Sequence, residues 1–181
     1  ALLERARCLM PDVSTRSPFI VGFPGERAEH FEHLLNFVDR AGFDYAGGFV
    51  YSPEEGTTAA GLRPRVRRAV ARERLNRLNT LLESRSEEEH QRMVDSRAQV
   101  LVDAIGTDAT PGSMAVGRTA GQAPEVDGIT IVNGAPAGTG PGRCLSVRYT
   151  ASLRVYDMRA RALGTAPRAA GGPEPAETVR P

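Results

Sequence analysis

Residues 19–26 read Phe-Ile-Val-Gly-Phe-Pro-Gly-Glu, and no other stretch limits the fold so much. An apolar run ends in a Gly/Pro turn, and a periodic helix follows at once. This is the pattern of a buried strand, a tight turn and a helix start. The helix is expected from about Glu26 to Ala41, because Phe31, Leu34, Leu35 and Val38 fall on one stripe. Gly42 is a natural C-cap. A second strand is expected over Tyr45–Tyr51. Strand, helix and strand with short connections make a parallel crossover. In such architectures ligands sit at the C-terminal ends of the strands, where glycines let backbone come close. Two strands alone do not make a stable sheet, so partners for them are expected.

The flanking segments read differently. Ala1–Leu9 is helical, with Leu2, Leu3, Ala6 and Leu9 on one side, and a start inside an element suggests a fragment. Residues 64–97 read as helix in two pieces. Pro64 fits a first turn, and Ser86 with Glu89 forms a capping-box pattern that restarts the helix. From Ala98 short β-rich runs are separated by glycine turns: Gln99–Asp103, Met114–Arg118, Gly128–Val132, Cys144–Tyr149 and Val155–Ala160. They predict a small five-stranded antiparallel barrel. The fold class is therefore α/β followed by all-β. The Pro-, Gly- and Ala-rich segment 163–181 is expected to be a disordered tail.

Charge excludes little. The net charge is +1, and all 23 basic residues are arginine. Seven arginines lie between Arg63 and Arg77. They suit a nucleic-acid patch, but a solvated helix face is the plainer reading. Residues 98–162 hold five acids and six arginines, which does not choose between protein and RNA. Cys8 and Cys144 are too far apart in sequence to suggest a metal or iron–sulfur motif. His30 and His33 have metal-compatible spacing, yet a helix surface explains them as well. No apolar run approaches the roughly 20 residues of a membrane span, so no membrane partner is expected.

Three stretches carry a resemblance. They are Arg16-Ser-Pro-Phe-Ile-Val-Gly-Phe-Pro-Gly-Glu26, Phe49-Val-Tyr-Ser-Pro-Glu-Glu-Gly-Thr57 and Gly117-Arg-Thr-Ala-Gly-Gln-Ala-Pro-Glu-Val-Asp-Gly128. In order and spacing they resemble radical-SAM methylthiotransferases of the RimO type. The third stretch resembles the start of a RimO-type TRAM domain and separates the chain from tRNA-modifying relatives. The resemblance covers about residues 1–162. It implies a cytoplasmic enzyme that methylthiolates the β-carbon of an aspartate in a small-subunit ribosomal protein. Its cofactors would be S-adenosylmethionine and two 4Fe-4S clusters.

The resemblance also implies a division of the chain. Residues 1–62 would be the last strands and helices of a radical-SAM (β/α) partial barrel, and 63–97 the linking helices. Residues 98–162 would be an OB-like TRAM barrel. Ile20, Val21, Gly22 and Pro24 would lie beside the cofactor, and Tyr51, Glu54, Glu125 and Asp127 beside the substrate. A buried strand, an ordinary turn and surface acids explain the same residues without a ligand. The cluster cysteines of the family, including Cys-x3-Cys-x2-Cys, are absent, so no metal ligand or catalytic residue is assigned. Asp95 stands where a glycine is expected at the entry to the TRAM domain, and Arg27 replaces a usual Thr. A tRNA methylthiotransferase relative and a non-catalytic binding module remain the alternatives.

Overall fold

The computed structural model describes residues 2–106, 114–153 and 156–166. Of the expected tail, residues 163–165 belong instead to the last strand, and 167–181 lie outside the described residues, as does Val155, where the last expected strand begins. Helix α1 (Leu2–Leu9) precedes strand β1 (Arg16–Val21), helix α2 (Ala28–Ala41) and strand β2 (Tyr45–Val50). β1 and β2 pair in parallel, from Arg16 opposite Tyr45 to Val21 opposite Val50. The crossover is thus as the residue pattern predicts. Gly42 ends α2 in the left-handed region at φ 56°, and its N–H donates to Val38 O. At the other end of α2 the Arg27 N–H donates to His30 Nδ1 at 3.3 Å. His30 therefore serves the helix cap.

A short 3-10 turn (Thr58–Gly61) leads to helix α3 (Arg68–Met93). The expected break at Ser86 does not occur. Ser86 is 5 % exposed, and its hydroxyl lies 3.0 Å from His90 Nδ1 within the same helix. A buried partner one turn on removes the need for a cap there. Nor does Pro64 stand in the first helical turn, because α3 begins four residues later. α3 covers the two-stranded sheet. Leu78 and Leu82 pack with Val21, Phe31 and Val38 into one core, with Phe19, Leu34, Leu35 and Leu75 at its edge. Full burial of such side chains contributes about 1.5–3 kcal/mol each.

Strands β3 (Arg97–Ile105), β4 (Met114–Arg118), β5 (Thr130–Asn133), β6 (Cys144–Ser152) and β7 (Met158–Thr165) close into a barrel in the order β3-β4-β5-β7-β6. Four strands overlap closely the short runs that predict them, while the last, expected over Val155–Ala160, is displaced to Met158–Thr165. The expectation of an antiparallel barrel needs correction: β5 and β7 pair in parallel, Thr130 opposite Met158 through Asn133 opposite Arg161. β6 lies between them in sequence and turns back on β7, so β7 must run alongside β5 in the same direction. The interior is filled by Val100, Val102, Val132, Leu145, Val147, Tyr149 and Met158. Along β6 buried residues alternate with outward ones, the period of two that a half-buried strand requires. Among the described residues no helix is long and apolar enough to cross a membrane.

Candidate functional site

The Pro-Gly turn after β1 is held by its own glutamate. Both oxygens of Glu26 accept the Gly22 N–H, at 3.1 and 3.0 Å. Arg74 of α3 donates to the same carboxylate, and both side chains are about nine-tenths buried. The Gly25 N–H donates to Pro64 O at 2.8 Å, which ties the turn to the segment entering α3. Gly22 has φ +77°, and a Cβ there would stand 2.6 Å from Ala71 Cβ. Only glycine meets both conditions.

These ties leave a cleft of about 490 Å³ at the C-terminal ends of β1 and β2. Gly22, Pro24 and Tyr51 line it, facing Arg65, Arg68 and Ala71. The Tyr51 N–H donates to Val21 O at 2.9 Å, so the strand pairing carries on to the rim. The ring of Tyr51 meets Phe23 edge-on at 5.0 Å. Its hydroxyl is buried and has no hydrogen-bond partner among the described residues. Two guanidinium groups and the first turn of α3 give the cleft a positive character. Such a cavity suits a ligand with an anionic group and an apolar or aromatic body.

Of the residues expected beside a cofactor, Gly22 and Pro24 line the cleft. Val21 is fully buried and turned toward α2 and α3. Ile20 lies on the opposite sheet face, 55 % exposed, level with the equally exposed Phe49. Tyr51 lines the cleft, and Glu54 stands exposed in the loop beyond it. The positions of Arg65 and Arg68 in the wall were not foreseen. Both fall in the cluster that reads as a helix face, and the turn residues Gly61 and Pro64 just before them were the available signal.

Glu125 and Asp127 lie elsewhere. They sit in the β4–β5 loop, against the N-terminal ends of β1 and β2. Asp127, 3 % exposed, pairs with Arg16 and accepts the Ala123 N–H at 2.8 Å. Gln122 braces the loop, its carbonyl oxygen accepting from Thr119 N at 2.9 Å and Thr130 Oγ1 at 3.1 Å. Next to the loop, Tyr156 donates to Ala46 O at 2.8 Å, and its ring packs on Tyr45. Burial pushes the Tyr45 hydroxyl up to about 12, with Tyr149 and Asp44 adding to it. Six residues of strand separate this junction from the cleft, about 20 Å. The two expected groups of substrate residues are therefore at opposite ends of the sheet. Asp127 is spent within the chain, while Glu125 is exposed in the left-handed region at φ 62°.

Residues 94–163 match the family described as the TRAM domain. Similar full-length proteins bear the name ribosomal protein uS12 methylthiotransferase RimO. The one from Anaeromyxobacter sp. (strain K) is 39 % identical over 175 residues, 97 % of this chain and 36 % of that protein. The one from Prochlorococcus marinus (strain MIT 9303) is 40 % identical over 166 residues, 91 % of this chain and 34 % of its own length. A third, from Prochlorococcus marinus (strain AS9601), is 41 % identical over 133 residues, 74 % and 28 % respectively. The chain thus spans about a third of the length of the curated relatives it matches.

Proposed function

The chain is a RimO-type methylthiotransferase sequence, matching the C-terminal part of that family, and on this premise we propose that it closes a cofactor site and docks a ribosomal-protein substrate. The observation that carries the reading is the cleft at the ends of β1 and β2, built around Gly22 and lined by Arg65 and Arg68. Residues 1–62 are read as the closing end of a radical-SAM barrel, 63–97 as the linker and 98–162 as the TRAM barrel. The reaction is methylthiolation of the β-carbon of an aspartate in protein uS12, in the cytoplasm.

The residues fit S-adenosylmethionine in part. The turn from Gly22 to Pro24 offers close backbone approach, and the Tyr51 hydroxyl is a buried polar group awaiting a partner. Arg65 and Arg68 supply charge for a carboxylate. Ile20 and Val21 shape the strand that carries the turn. When bound, that cofactor supplies radical and methyl chemistry; this chain contributes walls, orientation and exclusion of water. The residues do not fit an iron–sulfur cluster, which needs several thiolates. Cys8 lies on α1 and Cys144 on β6, in separate parts of the fold.

Glu54 at the lip of the cleft offers a carboxylate to a basic target segment. Glu125 offers another at the barrel junction, and Asp127 acts by holding that loop in place. A chimera tests the reading. The C-terminal part of the Anaeromyxobacter relative is replaced by this chain, and uS12 is examined by mass spectrometry. Methylthiolated aspartate is expected. A folded chimera with both clusters loaded that leaves uS12 unmodified overturns the proposal.

A further inference from the structure

The two-stranded sheet with its covering helices and the barrel have separate cores that share no residue. Among the described residues the chain passes between the two units once, over 94–96 after α3. A second link lies far from that crossing in sequence, at the N-terminal ends of β1 and β2. Arg16 of β1 pairs with Asp127 of the β4–β5 loop. The Arg16 guanidinium also stands 5.6 Å from the ring centre of Tyr45, its directly paired neighbour on β2. Tyr45 packs on Tyr156 at 5.5 Å, and the Tyr156 hydroxyl donates to Ala46 O at 2.8 Å. On the far side of Tyr156 stands the buried His90 of α3, ring to ring at 6.2 Å. Gly121 of the barrel abuts Ser14, with no room for a Cβ against its hydroxyl.

Asp127 makes this link specific. It is 3 % exposed and belongs to the barrel, yet its cation comes from the sheet. From its own loop the carboxylate accepts the Ala123 N–H, at 2.8 Å. A buried carboxylate that loses its cation is strongly destabilised. The pair is therefore satisfied in one placement of the barrel and lost when the barrel swings, and such complementary charges fix register. The rest of the interface is a few rings and one hydroxyl bond, and interfaces of that kind allow relative motion by default. The cleft lies about 20 Å away, at the other end of the strands. A swing of about 10° over that lever moves a group on the barrel by roughly 3 Å, and a misplacement of about 1 Å can cost on the order of 100-fold in rate.

We propose that Arg16, Asp127 and Tyr156 are positioning residues that lock the barrel at one angle to the cleft, so that a protein docked on the barrel presents its target side chain there. This role rests on the reading that the barrel docks the substrate and the cleft holds the cofactor. Docking raises the effective concentration of the target at the cleft only when the two sites are held at a fitting span. The gain vanishes when the geometry forbids both contacts at once. A peptide short enough to enter the cleft alone never uses that gain. Whole uS12 therefore depends on the lock, and a short peptide centred on its target aspartate does not. None of the three side chains lines the cleft, so their effect reaches it through geometry.

Two measurements test it. Backbone amide NMR relaxation of the full chain reads the lock without any cofactor. One tumbling time shared by α2 and the barrel strands is expected for the natural sequence. In Arg16→Gln and in Asp127→Asn the barrel amides should tumble separately, with their signals still dispersed as in a folded barrel. In the chimera with the Anaeromyxobacter relative, Arg16→Gln should lower kcat/KM on whole uS12 by about 100-fold and change it on the short peptide by less than about twofold. Adding Asp127→Asn should lower it no further, because the two residues act as one pair. Separate tumbling in the natural chain, or one tumbling time kept in both variants, overturns the lock. Equal losses on protein and peptide, or no loss on either, overturn the positioning role. An unsubstituted chimera that modifies neither substrate sinks the proposed function, while the relaxation data still decide the lock. If Asp127→Asn unfolds the barrel, Arg16→Gln is read alone, because that side chain is 38 % exposed.

Discussion

Arg74 of α3 and Glu26 of the β1–α2 turn form a buried ion pair, and the Glu26 carboxylate also accepts the Gly22 N–H. One carboxylate thus joins the cleft turn to the helix that covers the sheet. Removing only the cation leaves a buried charge without compensation, a change that typically costs about 3–5 kcal/mol. Arg74→Ala is expected to lower stability by that order in urea denaturation. Arg74→Leu combined with Glu26→Gln should recover much of it. The amide oxygen still accepts the Gly22 N–H, and no buried charge remains.

The same turn sets a steric condition. Gly22→Ala places a methyl group 2.6 Å from Ala71 Cβ at a positive φ. The left-handed conformation costs roughly 1–2 kcal/mol for a residue with a side chain, and overpacking typically 1–3 kcal/mol. A loss of about 2–5 kcal/mol is expected from the two together. The companion Ala71→Gly in the Gly22→Ala background removes the clash and should restore part of the loss. Thermal melts of the single and double variants measure the difference.

Much of this was legible in the sequence because local chemistry and tertiary packing agree. The Phe19–Val21 run, the α2 stripe and Gly42 each demand the element they form. The alternating runs after Ala98 likewise give five strands. What was not legible depends on partners distant in sequence. Ser86 carries a cap pattern, yet burial against His90 keeps α3 continuous. The parallel pairing of β5 with β7 follows from barrel closure, which no single run encodes. Asp127 reads as a surface acid next to a turn until Arg16, far away in sequence, is brought against it. The arginines from Arg63 to Arg77 read as a solvated face, whereas Arg74 is buried and pairs with Glu26 in the turn before α2.

Asp95 is the clearest sequence departure with a structural consequence. It adopts φ 70° between α3 and β3, the conformation that a glycine takes without strain. Its N–H donates to Tyr149 O at 3.0 Å, so the conformation is fixed by the barrel. Asp95→Gly relieves the left-handed strain while adding freedom to the unfolded chain. The two effects oppose each other, and a net change within about 1 kcal/mol is expected. Asp95→Val has no such relief and adds a β-branched side chain, so it should cost about 1–2 kcal/mol. Urea midpoints of the two variants should therefore separate clearly.

The alkaline limb of stability tests the junction between sheet and barrel. The chain has no lysine, so no side-chain ammonium group titrates there, and arginine keeps its charge. Burial raises the hydroxyl of Tyr45 to about 12 and those of Tyr149 and Tyr156 in the same direction. Folding thus favours the neutral phenols, whereas the unfolded chain ionises them near about 10. Above that pH the unfolded state binds fewer protons than the folded state, so stability falls as pH rises. The contribution is complete below about pH 10 and is lost progressively as pH rises toward about 12. Tyr45→Phe removes one of the three ionisations and should make the decline shallower. Tyr156→Phe should do the same while also losing the bond to Ala46 O. Urea midpoints followed from neutral pH to about pH 11 read both slopes. Equal slopes for wild type and Tyr45→Phe would show that Tyr45 is not held neutral by its burial against the barrel.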